Sequence, residues 1–181
     1  SNYIANGFIT HNSGVIFSQD PINESKNIVI EAVFGLGEGI VSGKIKPDNY
    51  VVSRELKILS KNISEKKIAI TRNSSGETET VKLTEEKGKA QVLSEYEIKK
   101  LADYAIQLEE HYQIPQDIEF AIDSGVIYIV QTRPITTLGK RKQEEAGKAR
   151  GEVLLSGLAA SPGAASGIVK IVRSLEDLKK I

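Results

Sequence analysis

Apolar positions along this chain follow two periods, and the change between them falls near residue 94. Before it, short runs rich in β-branched residues dominate, at 14–18, 28–33, 50–53, 56–59, 67–71 and 78–83. Turn residues bracket them, among them Asp20-Pro21, Pro47-Asp48-Asn49 and Asn73-Ser74-Ser75-Gly76, so each run reads as a strand. From Ser94 the period lengthens. Ile98, Leu101, Ala102, Ala105 and Leu108 form one apolar stripe at helical spacing. Ser94 with Glu97 fits the reciprocal capping box that opens a helix, and Pro115 sets a stop beyond Tyr112. A single long helix is therefore expected over 94–112.

After the helix the period returns to two. Residues 117–123 and 126–133 read as strands joined through Ser124-Gly125. Alternation puts Asp117, Glu119, Ala121 and Asp123 on one face of the first strand, and Ile118, Phe120 and Ile122 on the other. Ile127, Ile129, Gln131 and Arg133 share a face of the second.

Whether the two polar sets converge depends on the turn. A strict two-residue loop sets Glu119 beside Val130 and sends Gln131 to the opposite face. An odd-length loop, with a left-handed glycine bulge at Gly125, brings Asp117, Glu119, Gln131 and Arg133 onto one face. The odd loop is the expectation, because it also gathers Ile118, Phe120, Ile122, Tyr128 and Val130 on the other side.

Residues 139–151 are charged and helix-prone, with glycine at either end, and read as a linker. A β-rich segment follows over 152–181, with Ser161-Pro162-Gly163 as a loop and a strand-like run at 167–172. About 30 residues cannot close a core, so this segment is expected to be the start of a further domain. The chain contains no methionine, not even at position 1, which fits a stretch cut at both ends from a longer polypeptide.

Composition narrows the function classes. The 181 residues carry 24 basic and 24 acidic side chains, a balance that argues against a nucleic-acid partner, for which a basic face is expected. The absence of cysteine rules out disulfides, thiolate metal sites and cysteine nucleophiles, and suits a cytoplasmic protein. No apolar run approaches the ~20 residues that span a bilayer, so no membrane partner is implied.

The hairpin carries the most informative chemistry. A carboxylate and an amide oxygen on neighbouring strands, with a guanidinium two residues on, suit magnesium and phosphate. Magnesium takes hard oxygen ligands, few from protein and the rest from substrate phosphates, and arginine offers phosphate a planar fork. Patterning alone favours the plainer reading, polar residues on the wet face of an edge hairpin. The cluster Gly35, Gly37, Gly39 and Gly43 lacks the G-x-G-x-x-G spacing and reads first as a tight turn. His11 and His111 stand in no metal-ligand spacing.

Several motifs come in order: Gly14-Val15-Ile16-Phe17 with Asp20-Pro21, Gly35-Leu36-Gly37-Glu38 with Val41-Ser42-Gly43, Pro47-Asp48-Asn49-Tyr50, Gln116 to Ala121, and Gln131-Thr132-Arg133-Pro134. Together they resemble the later half of the ATP-grasp nucleotide-binding domain of the phosphoenolpyruvate synthase and pyruvate phosphate dikinase family. The related rifampicin phosphotransferases share much of the pattern. The resemblance covers about residues 12–138. Beyond the linker, Ser161-Pro162-Gly163 and Ser166-Gly167 resemble the opening of the family's swivelling phosphohistidine domain.

The resemblance implies an α/β chain of α+β type: an ATP-grasp subdomain over 1–138, with a mostly antiparallel sheet and one long helix, then the 139–151 linker and the swivelling-domain start over 152–181. It implies that Glu119 and Gln131 hold Mg²⁺ against the phosphates of ATP, that Arg133 lies close to those phosphates, and that Asp117 belongs to the same ATP-binding cleft. In the whole enzyme ATP phosphorylates a histidine on the swivelling domain, which passes the group to pyruvate, giving phosphoenolpyruvate, AMP and phosphate. The carrier histidine motif of the family is not reached before Ile181. The isolated chain is therefore expected to be inactive, its partners being ATP and the remaining domains of its parent. A rifampicin phosphotransferase, differing in the acceptor, and a non-enzymatic binding module are the alternatives.

Overall fold

A computed structural model describes residues 4–5, 8–9, 11–22, 25–73 and 75–135. The expected linker and β-rich segment at 139–151 and 152–181 lie outside the described residues. Along the chain run β1 (Ile4–Ala5), β2 (Phe8–Ile9), β3 (His11–Phe17), β4 (Ile28–Phe34), α1 (Glu38–Val41), β5 (Asp48–Val52), β6 (Ile58–Asn62), β7 (Ile68–Arg72), β8 (Thr78–Lys82), α2 (Glu85–Lys89), α3 (Glu95–Tyr112), β9 (Gln116–Asp123) and β10 (Val126–Pro134). Six of the strands form one sheet in the order β10-β9-β3-β4-β5-β6, every neighbour antiparallel. With helices beside it, this is the expected α+β architecture with a mostly antiparallel sheet. No described helix is long and apolar enough to cross a membrane.

Period-2 alternation decides which face of the sheet is dry. Ile16, Ile30, Tyr50, Ile118 and Phe120 point to one face and are buried, and there α3 packs across β3, β4, β5 and β9. The stripe Ile98, Leu101, Ala102 and Ala105 is the buried side of α3. Each fully buried Ile or Leu contributes about 1.5–3 kcal/mol relative to exposure. The helix starts as its sequence implies: Glu97 N–H donates to Ser94 Oγ at 3.3 Å and Ser94 N–H donates to Glu97 Oε2 at 2.7 Å.

One expectation about the first half changes, and one short element is added. The run 56–59 is not one strand. Leu56 sits in a turn with φ of 61°, closed by its N–H on Ser53 O, and the strand begins at Ile58. The polar stretch at 85–89 is a short helix whose N-terminus is capped by Thr84, accepting from Lys87 N–H.

The glycine cluster brackets the short helix α1, which holds Gly39, and its first member sits in the expected tight turn. Gly35 has φ of 81° and bridges to Ile70, and Leu36 N–H donates to Ile70 O at 2.7 Å. A Cβ on Gly35 would run into that carbonyl, so close backbone approach and positive φ both demand glycine. This bridge ties the β7–β8 hairpin to the end of β4: Ile70 packs with Val33, Ile45 and Ile40 on the sheet's second face, while Ala69, Val81 and Leu83 pack with the core on the α3 side. Over β3 and β9 that second face is the more open one among the described residues, with Val15, Asp117 and Glu119 half-buried.

Candidate functional site

The β9–β10 hairpin occupies one edge of the sheet, and its polar residues stand on the open face, opposite α3. Near the turn the pairing is that of a two-residue loop: Val126 faces Asp123, and Ser124 and Gly125 have φ of 51° and 80°. This corrects the expected odd-length loop. Two consecutive positive φ values give the type I′ geometry whose twist matches the flanking strands, and serine tolerates the first of them.

Convergence is achieved elsewhere. A bulge between Ile129 and Gln131 leaves Val130 without a partner and shifts the register by one. Beyond it Gln131 pairs with Glu119 and Arg133 with Asp117, so the four polar residues share a face as expected. Before it, Tyr128 pairs with Ala121 and therefore lies on the open side, 52% exposed, and Val130 is 64% exposed. Neither joins the core face, contrary to expectation, because the register they needed begins only after the bulge.

Glu119 and Gln131 form one rung of the ladder. Neither side chain makes a hydrogen bond or ion pair among the described residues. Two uncommitted oxygen donors facing each other across strands are a hard-ligand pair suited to a small divalent cation that completes its shell elsewhere. Among the described residues no cluster of three His, Asp or Glu side chains could hold a metal alone. The next rung carries Asp117 and Arg133, where Arg133 Nε donates to Asp117 Oδ2 at 2.9 Å.

Followed across the sheet, the Gln131–Glu119 rung continues through Val15 on β3 to Glu31 on β4 and Asn49 on β5. Sequence reasoning passed over Glu31, although one acidic residue inside the apolar run 28–33 was a signal. Burial raises the Glu31 carboxyl above its ordinary value of 4.5, and a hydrogen bond with the Asn49 side chain opposes this. A carboxyl whose folded-state pKa is raised costs stability once pH exceeds the ordinary value, and costs none below it. Glu31→Gln should therefore melt above the parent at pH 7, with the gap closing as pH falls below about 4. A gap in thermal melting that did not change with pH would contradict this account of Glu31.

Beside the rung lies a cavity of about 540 Å³. Glu119 lines it, with Val15 and Phe120 from the sheet, Val130 from the bulge, and Leu36 and Ile40 from the glycine loop. Ser13 Oγ donates to Gly35 O at 2.7 Å and ties the loop wall to the sheet. Asp117, Gln131 and Arg133 stand outside this lining. His11 lines it too; burial lowers its pKa, against the pull of Asp123, and Arg72 lowers it further. Glu119 thus stands between a largely apolar cavity, which Glu38 also lines, and the polar strip that the bulge completes with Gln131.

Comparison with known proteins follows the same lines. Residues 4–153 match the family described as "Pyruvate phosphate dikinase, AMP/ATP-binding domain". The chain is 49% identical over 174 residues to a "Probable phosphoenolpyruvate synthase" of Archaeoglobus fulgidus, covering 93% of this chain and 23% of that protein. It is 39% identical over 181 residues to the "Phosphoenolpyruvate synthase" of Pyrococcus furiosus, covering 93% and 22%. A "Rifampicin phosphotransferase" of Bacillus cereus is 45% identical over 127 residues, 70% of this chain and 14% of that protein. The chain spans about a quarter or less of the length of these relatives.

Proposed function

Since the chain belongs to the pyruvate phosphate dikinase AMP/ATP-binding domain family, we propose that its open sheet face binds ATP with Mg²⁺ for phosphoryl transfer. The observation that supports this most is the bulged register, which sets Glu119 and Gln131 opposite one another with Arg133 one rung away. Glu119 and Gln131 would hold the ion through hard oxygen donors, and the ion would neutralise phosphate charge. Arg133 would offer its fork to the phosphate oxygens. The cavity is of the size and apolar character that take a planar base or sugar, and Glu119 at its wall joins that volume to the phosphate strip. Phosphoryl transfer leaves little covalent chemistry to a protein; positioning and charge neutralisation supply most of the rate.

In the whole polypeptide the group would pass from ATP to a carrier histidine and on to pyruvate, as in a pyruvate, water dikinase, in a cytoplasmic setting. The similar proteins named phosphoenolpyruvate synthase match over 93% of this chain against 70% for the rifampicin phosphotransferase, which favours pyruvate as the acceptor over an antibiotic. Calorimetric titration with ATP tests the binding step. Affinity should rise at least about tenfold when Mg²⁺ replaces EDTA, the equivalent of one charge-assisted contact. Equal affinity with and without Mg²⁺ would remove the ion from the site.

A further inference from the structure

The Asp117–Arg133 rung divides its labour in a way that the shared face alone does not reveal. Arg133 Nε donates to Asp117 Oδ2 at 2.9 Å, and Nη2 lies 2.9 Å from the same oxygen. The Asp117 side chain is 16% exposed and the Arg133 side chain 65%. The carboxylate is thus seated against the sheet while the guanidinium stands above it. Arginine has five N–H donors in a rigid fork. Asp117 engages the Nε edge, and the Nη1 amino group has no partner among the described residues. A carboxylate set directly against a polyphosphate would repel it. The same carboxylate set behind an arginine fixes a long side chain that would otherwise lose rotamer freedom when the ligand arrives.

We infer that Asp117 is a positioning residue: it holds the Arg133 guanidinium upright beside the Glu119–Gln131 rung and does not itself touch nucleotide or ion. This rests on the reading of that rung as the magnesium–nucleotide edge. Asp117 then contributes to affinity only through Arg133. The guanidinium side of the pair is open to solvent, and ion pairs screened in this way add little to folding, so breaking this one leaves the fold in place and moves ligand affinity.

A double-mutant cycle on the full-length protein tests the inference, with magnesium and a non-hydrolysable ATP analogue titrated by calorimetry. Arg133→Ala should weaken binding at least about tenfold and Asp117→Ala about three- to tenfold, as expected for charge-assisted contacts. The double variant should be no weaker than Arg133→Ala to within about twofold, the signature of one residue acting through another. Asp117→Glu should recover part of the loss and Asp117→Asn none, with melting temperatures unchanged throughout. Losses that multiply in the double variant would overturn the inference, because Asp117 would then act on the ligand directly. So would tighter binding by Asp117→Ala, which would mark it as a repelling charge. If Arg133→Ala and Glu119→Ala both leave binding unchanged, the nucleotide reading of the rung falls and the positioning role falls with it.

Discussion

Asp48→Ala is expected to lose about 3–5 kcal/mol of stability, the cost of leaving a buried charge without its partner. Asp48 and Lys66 are both fully buried and are paired through Lys66 Nζ and Asp48 Oδ1. The carboxylate also accepts from Ser64 N–H at 3.0 Å, Val92 N–H at 2.9 Å and the Tyr50 hydroxyl at 3.0 Å. It therefore ties the start of β5 to the segments on either side of the β7–β8 hairpin. Those contacts make the two halves of the pair unequal. Removing Asp48 leaves Lys66 with only Ser64 O at 2.8 Å and the face of Phe34, 5.5 Å away. Removing Lys66 leaves Asp48 with three donors. Lys66→Met should accordingly cost less than Asp48→Ala. Urea unfolding checks both: a lower midpoint with an unchanged slope is expected, in the stated order. A loss under about 1 kcal/mol for Asp48→Ala would mean that water reaches the pair.

That network also marks where reading the chain stopped short. Sequence patterning places Asp48 in a turn signal, Pro47-Asp48-Asn49, and assigns Lys66 no role. Ser64, Lys66 and Val92 lie 16 to 44 positions from Asp48, and no local period encodes such a closure. What was legible rested on local physics. The Ser94–Glu97 box and the stripe at 98, 101, 102 and 105 depend only on neighbours within two turns of helix, and both appear as expected. Alternation along 117–123 sorted Ile118, Phe120 and Ile122 from Asp117 and Glu119 for the same reason.

The hairpin shows a mixed outcome. Gathering four polar residues on one face was readable, because a single register satisfies both strands beyond the bulge. The device that produces it was not. Gly125 advertised a bulge at the turn, whereas the extra residue is Val130, a β-branched side chain with no signature of a bulge. Valine there serves the cavity wall, a role visible only once the glycine loop is folded across the sheet. Leu56 at φ of 61° is a similar case, held in a left-handed turn by the strands on either side.

If the proposed function holds, loss of phosphoryl transfer in Glu119→Ala is the largest functional effect expected. Glu119 is the charged residue, among those described, that belongs to both the Gln131 rung and the cavity wall. Its side chain has no partner among the described residues, so truncating it removes no contact that the fold uses. Stability should hold while the proposed magnesium edge loses the carboxylate that faces Gln131. A preorganised group aimed at transition-state charge commonly accounts for 100-fold or more in rate, and about that loss is expected here. The measurement is Mg²⁺-dependent histidine phosphorylation from radiolabelled ATP in the full-length protein, with melting temperature recorded alongside. A fall of at least about 100-fold in a variant that melts with the parent is the result this account predicts. Undiminished phosphorylation in Glu119→Ala would contradict it.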